Sequence, residues 1–306
     1  KTNSYVDSFF IGNGTSRTFL FPRMEAKVLV TTTPSIQSKQ LKRGKNTHYI
    51  YTNHSPVSTH MVYQENAFDH FDTILCCGPH QVEEIEKRES LYHLKAKNLV
   101  KSGLPKLDKL LRISSGQSKD IADGNNTILI APTWGPNNII GNCAEELITS
   151  LLNLNYKVKL RPHYMIWRNR HTDIKNLEKI FSSNSNFTID KKIDSVESML
   201  ESGLLISDWS GIAIEYAFGL QKPVIFIDLP PKINNHNYKN ISLVPLEESI
   251  RSDLGEIIPL NKVHDPTFLK TKLDSARQKT SQHKTLGNKC IYNFGESAKQ
   301  AATQII

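Results

Sequence analysis

Nowhere in the 306 residues does an apolar run reach the roughly 18 that a bilayer-spanning helix needs, so this segment supplies no transmembrane span. Cysteine is scarce. Cys76, Cys77, Cys143 and Cys290 show neither a C-x-x-C pair nor zinc-ligand spacing, and Cys76-Cys77 lies in an apolar run, the usual setting of small buried thiols. Without a disulfide framework or a secretory signal, the chain reads as one suited to a reducing, cytoplasmic environment. The opening Lys1-Thr2-Asn3-Ser4 has neither Met nor an apolar signal region, which reads as a fragment or a processed chain. H-E-x-x-H, Walker A, G-x-S-x-G and the Gly-rich dinucleotide fingerprint are all missing. So is the Asp-x-Asp pair with which metal-dependent sugar transferases hold a nucleotide-bound cation. Asp69 and Asp72 are spaced differently and fall in an expected helix, so neither a metal nor another cofactor is implied. RNA-binding signatures with interleaved aromatics are also absent, which argues against nucleic acid as a partner.

What is present is a core and an excess of positive charge. Apolar residues make up 38% and charged residues 22%, enough for a sizeable interior and too apolar for wholesale disorder. The 38 Lys and Arg against 30 Asp and Glu leave +8. The local clusters Lys39, Lys42, Arg43, Lys45 and Lys95, Lys97, Lys101 fit solvated faces. That is the usual reading of such clusters, and the alternatives are attraction to anionic lipid headgroups, to phosphate-bearing substrates or, last, to nucleic acid.

From Asn125 onward short β-rich runs alternate with helical periods. Strands are expected at 127–131, 157–160, 187–189, 204–206 and 224–227, with helices near 143–154, 173–181, 195–201 and 212–218. Such alternation implies βαβ units, a parallel sheet covered on both faces, and a Rossmann-like domain. The first 112 residues repeat it more weakly, with strands at 28–31, 48–51, 73–76 and 99–100. The polar, turn-rich segment 120–126 suits a linker. The reading is therefore α/β, two Rossmann-like domains at 1–122 and 123–306, with a helical tail from Pro266.

Ligands of parallel sheets bind where strands end and loops enter helices. That filter selects four segments. In Leu205–Tyr216, Ser207, Ser210 and the Gly211 amide gather at a helix N-terminus, fit for a pyrophosphate or for no more than an ordinary cap. Arg161-Pro162-His163 follows a strand, and both polar side chains can donate to phosphate oxygens. His54 follows a strand of the first domain and has the pKa range of a general base. His60 competes with it, and spacing does not separate the two. The loop Pro132–Asn138, with Thr133 and Trp134, has the make-up of a nucleotide-pocket wall and also of a simple turn.

Taken in order, these segments resemble the CDP-glycerol glycerophosphotransferase family of teichoic acid and capsule polymer assembly, from about Val28 to the C-terminus. The family's Gly-x-Pro-Arg-x-Asp turn is Gly103-Leu104-Pro105-Lys106-Leu107-Asp108 here, with Lys for Arg. Its Ala-Pro-Thr-Trp loop stands unchanged at 131–134. Its Ser-Asp-Tyr-Ser-Ser motif is Ser207-Asp208-Trp209-Ser210-Gly211, Arg161-Pro162-His163 matches its second His, and Pro223–Ile227 matches the apolar strand after the donor helix. The His-Gly motif departs most: His54 is followed by Ser55-Pro56.

The resemblance implies a GT-B arrangement and transfer of an alditol phosphate from a CDP-linked donor to a hydroxyl of a glycan or polyprenyl-diphosphate-linked acceptor, with CMP released. It implies work at the cytoplasmic membrane face, with an anionic membrane surface as a partner. It makes His54 and His163 catalytic and puts Arg161, Thr133, Trp134, Ser207, Asp208, Ser210, Gly211 and Glu215 on the donor side. Ser55, Ser58 and His60 fall on the acceptor side. A nucleotide-sugar glycosyltransferase of the same fold is the alternative, and a binding module within a larger assembly protein a third.

Overall fold

The computed structural model describes residues 14–37, 41–116, 126–192 and 196–305, with 7, 10 and 11. Lys1–Ser4, Lys39, Ser195 and the body of the expected linker lie outside the described residues, as does the 122/123 boundary.

Ten strands form two sheets among the described residues, every pairing parallel. β1 (Val28–Thr31), β2 (His48–Thr52), β3 (Thr73–Cys76) and β4 (Asn98–Lys101) lie side by side in chain order. The second sheet holds β5 (Thr127–Ile130), β6 (Lys157–Leu160), β7 (Phe187–Ile189), β8 (Leu204–Ser207), β9 (Val224–Asp228) and β10 (Gly255–Pro259). Its order is β10-β9-β8-β5-β6-β7, the doubly wound pattern in which the chain runs outward one way from β5 and then restarts at β8 on the other side. A crevice at the carboxyl ends of β5 and β8 follows from that reversal.

The central strands read as unbroken apolar runs because both their faces are covered. Ile128, Ile130, Val158, Leu160, Ile206 and Ile225 share one core with the helices Ala144–Asn153 and Pro266–Gln278. Leu129, Ala131, Leu205, Val224 and Phe226 turn the other way, as the two-residue period of a strand requires. They pack on the helices Pro105–Ser115, Ile212–Leu220 and His283–Cys290. The Ile212–Leu220 helix is buried on nearly every side, so it carries no polar stripe.

The tail returns to the first sheet. Tyr292 N–H donates to Cys77 C=O at 2.8 Å, Ala298 N–H donates to Asp108 Oδ2 at 2.7 Å, and Ala301 packs against Ile50 and Leu75. Gly103, at φ 87°, permits this approach, since a Cβ there would overlap the Tyr292 carbonyl.

One local expectation needs correction: Asp69 and Asp72 lie in a turn and a bend rather than a helix, where they pair with Arg88 and Arg43 at 2.7 Å each. The helix expected near 143–154 forms as Ala144–Asn153, and a one-turn helix, Ile139–Asn142, precedes it across Cys143. β10 has no counterpart among the expected strands. The four cysteines are buried and unpaired, Cys76 and Cys77 as their apolar run suggested.

Candidate active site

A cleft of about 800 Å³ opens between the carboxyl ends of the two sheets. The walls are built after successive strands: His54 and Ser55 in the loop after β2, Lys106 in the first turn of the helix that follows β4, Thr133 and Trp134 in the loop after β5, Arg161 and His163 after β6, Ser210 and Gly211 after β8, Lys232 after β9. Glu215, one turn into the Ile212–Leu220 helix, completes the floor.

The two histidines face the cleft, and its walls disfavour the charged form of both. His163 caps the short helix Tyr164–Asn169, with its Nδ1 accepting the Met165 N–H at 3.1 Å, so the ring hydrogen stands on Nε2. Crowding by the cleft walls, then the charges of Lys232 and His54, lower its pKa to about 4. His54 is also pulled below its ordinary value, first by desolvation and then by Lys106 and Lys232. Its ring donates to the Thr32 carbonyl, which leaves the other ring nitrogen as an acceptor. Tyr63 meets the same ring edge-on, 6.2 Å between centroids.

Positive charge surrounds them. Lys232 Nζ lies 3.9 Å from the centroid of the Trp134 ring, which is itself tilted against His163 at 6.2 Å. Burial lowers Lys232 to about 8, opposed by Asp208 and Glu247. Lys106 Nζ meets Glu215 Oε2 at 2.5 Å; burial raises the Glu215 pKa, and Lys106 and Arg161 draw it back down. Beneath them lies the N-terminal end of the Ile212–Leu220 helix, where Ala213 N–H donates to Ser210 C=O and Glu215 N–H to Gly211 C=O, at 3.1 Å each, and where the helix dipole is positive.

Four expected site residues are not brought to the cleft. Ser207 is fully buried and donates through Oγ to the Ala131 carbonyl at 2.6 Å, tying β8 to β5. Asp208 accepts Thr133 N–H and Trp209 N–H at 2.7 Å each and Ile139 N–H at 3.1 Å, so it shapes the donor loops from below. Ser58 turns away and donates to Glu247 Oε1 at 2.7 Å. His60 is buried between Glu84, 3.2 Å from its Nδ1, and the Leu243 carbonyl, 3.2 Å from its Nε2. The geometry thus separates the competing histidines: His54 faces the cleft, and His60 pins the loop that carries it.

Lys232 was not anticipated, although it follows Pro230-Pro231 just past β9, where the strand-end filter applies. Lys106 was noticed only as a departure from a motif. Among the described residues, no group of three or more His, Cys, Asp and Glu side chains is placed to hold a metal ion.

The model of the CDP-glycerol:poly(glycerophosphate) glycerophosphotransferase family matches residues 13–230. The chain belongs to that family. As a member it is a transferase that moves glycerol phosphate from CDP-glycerol to a polymer acceptor, releasing CMP. Solved structures of similar fold include the wall teichoic acid polymerase TagF, 19% identical with a TM-score of 0.59, covering 92% of this chain and 72% of that one. A TagF variant soaked with CDPG is 20% identical with a TM-score of 0.58, over 92% and 71%. The Methanocaldococcus jannaschii UDP-GlcNAc 2-epimerase in complex with UDP-GlcNAc and UDP is 13% identical with a TM-score of 0.58, over 96% and 82%. These are likenesses of fold, and they place the two sheets in the GT-B arrangement. No curated protein sequence matches the chain significantly. Among the described residues no helix is long and apolar enough to cross a membrane.

Proposed function

We propose that His54 is the general base of the glycerol phosphate transfer and that His163 is a neutral hydrogen-bond donor to the transferred phosphoryl group. The acceptor hydroxyl gives its proton to the free ring nitrogen of His54 as its oxygen attacks the distal phosphorus. The bond from that phosphorus to the bridging oxygen breaks, and CMP departs with the electron pair. Negative charge developing on the phosphoryl oxygens is met by Lys106, Lys232 and Arg161, by the Ser210 hydroxyl, and by the amides at the start of the Ile212–Leu220 helix. In this scheme no metal or other cofactor takes part.

The observation that carries the reading is the pairing of two depressed-pKa histidines with three cations around one cleft. Its volume of about 800 Å³ lies within the range of small-molecule sites. The test is CMP release from CDP-glycerol, CDP-ribitol and a set of nucleotide sugars, with His54→Ala as control. Turnover of a CDP-alditol that falls about 10²–10⁴-fold in the variant supports the assignment. Turnover with a nucleotide sugar alone defeats it.

The acceptor is proposed to be a polyprenyl-diphosphate-linked or glycan polymer met at the cytoplasmic membrane face. Support comes from the helix Thr15–Leu20, where Phe19 and Leu20 are exposed near Arg17 and Arg23, and from Phe10, 86% exposed. Apolar side chains flanked by cations suit an anionic lipid surface. Co-sedimentation with phosphatidylglycerol vesicles, weaker with phosphatidylcholine and weaker for Phe19→Ser, is the expected result.

A further inference from the structure

Ser55 and Gly211 meet across the cleft from loops of opposite halves. A Cβ built on Gly211 would overlap the Ser55 hydroxyl and stand 3.0 Å from Val57 Cγ1. The backbone of Gly211 is ordinary right-handed helix, φ −60° and ψ −16°, so any L-residue could adopt it. Glycine is there for space, and the group that fills the space is a hydroxyl from the other half.

That hydroxyl is held firmly and left unspent. Ser55 precedes Pro56, which restricts its backbone to extended conformations. The residues beyond it are clamped: the Pro56 carbonyl is 3.0 Å from His80 Nε2, the Val57 carbonyl accepts from Gln81 Nε2 at 3.1 Å, and Ser58 N–H donates to Glu247 Oε2 at 2.9 Å. Among the described residues the Ser55 hydroxyl has no hydrogen-bond partner, yet it lines the cleft at the N-terminus of the Ile212–Leu220 helix. Ser55 and Gly211 are both positions at which this sequence departs from the family pattern given above.

We propose that Ser55 is a donor-binding residue, supplying across the cleft the hydroxyl that position 211 lacks, so that either position, but not both, carries the hydroxyl that meets the donor's pyrophosphate. This moves Ser55 from the acceptor side, where the sequence put it, to the donor side. It rests on the transferase reading above.

The test is a reciprocal exchange: Ser55→Ala, Ser55→Gly, Gly211→Ser and the double variant Ser55→Gly/Gly211→Ser. Equilibrium affinity for CDP, KM and kcat with CDP-glycerol, and melting temperature are measured for each. Ser55→Ala should weaken CDP binding about tenfold or more, the scale of one hydrogen bond to a charged group, and raise KM more than it lowers kcat. Gly211→Ser should melt lower and bind poorly from overlap. The double variant should regain both properties to within about threefold of the parent if the positions act as a pair. Unchanged CDP affinity in Ser55→Ala, or a double variant no better than Gly211→Ser, overturns the proposal. Failure of the unaltered chain to release CMP overturns the transferase reading instead, while the affinity and melting comparisons still decide this one.

Discussion

The Asp208 carboxylate receives the Thr133 amide at 2.7 Å across the junction of β8 and β5. With the Trp209 and Ile139 amides on the same group, one buried side chain joins the loop that carries Thr133 and Trp134 to the loop that leads into Ser210. Burial pushes its pKa up to about 6 despite the three donors. Asp208→Asn turns an amide NH₂ toward N–H groups that need an acceptor, and an unsatisfied buried donor costs about 1–3 kcal/mol. Urea denaturation should report a loss of that size, together with weaker CDP binding. An unchanged midpoint would contradict the linking role.

The pH profile of kcat/KM should be a bell. His54 must be unprotonated to accept a proton, and its pKa lies below 6.5, so the rate falls only as pH drops beneath that value. His163, at about 4, stays neutral throughout and contributes no limb in that range. Lys232 must be protonated to meet phosphate charge, so with a pKa near 8 it places the alkaline fall close to pH 8. Lys232→Met should remove that fall while raising KM. An alkaline limb that persists in the variant assigns it to another group.

Lys106 serves two partners, the Glu215 carboxylate at 2.5 Å and the open cleft. Lys106→Ala leaves Glu215 buried without that partner, which favours its protonation and removes a cation from the donor site. A charge-assisted contact of this kind corresponds to about tenfold or more in KM for CDP-glycerol. Lys106→Arg keeps the charge and should retain most of the activity. Equal loss in both variants would show that shape rather than charge matters.

The donor helix owes its place to a close contact. A Cβ on Gly219 would stand 2.6 Å from Leu110 Cβ, where Ile212–Leu220 crosses Pro105–Ser115. Gly219→Ala should cost about 1–3 kcal/mol through overpacking. Thermal and chemical unfolding measure it, and an unchanged midpoint would contradict the close contact.

Every strand expected from the sequence forms to within a residue at either end, whether fully buried like Leu204–Ser207 or half exposed like Val28–Thr31, because each is a short β-rich run between turn residues. β10 escaped notice because Gly255 and Pro259 bracket only three residues, and Glu256 is bonded to Lys272 and Ser275 rather than displayed as part of an apolar run. The strand-end rule found His54, Thr133, Trp134, Arg161, His163, Ser210 and Gly211 because such positions face the crevice whatever the loops do. It also selected Ser207 and Asp208, since a strand's last residues look alike in sequence whether their side chains turn outward or down. His54 and His60 could not be separated by spacing because the choice depends on Glu84 and Leu243, residues distant along the chain. The same holds for Lys232, whose surroundings are made by Trp134.

The return of the tail to the first sheet means that the polypeptide joins the halves twice, once between β4 and β5 and again near Tyr292. Away from those crossings the halves are also tied by Ser58 to Glu247 and by Asn235 Nδ2 to the His60 carbonyl. Drawing the two sheets apart would therefore cost hydrogen bonds as well as packing, and the width of the cleft is set by both.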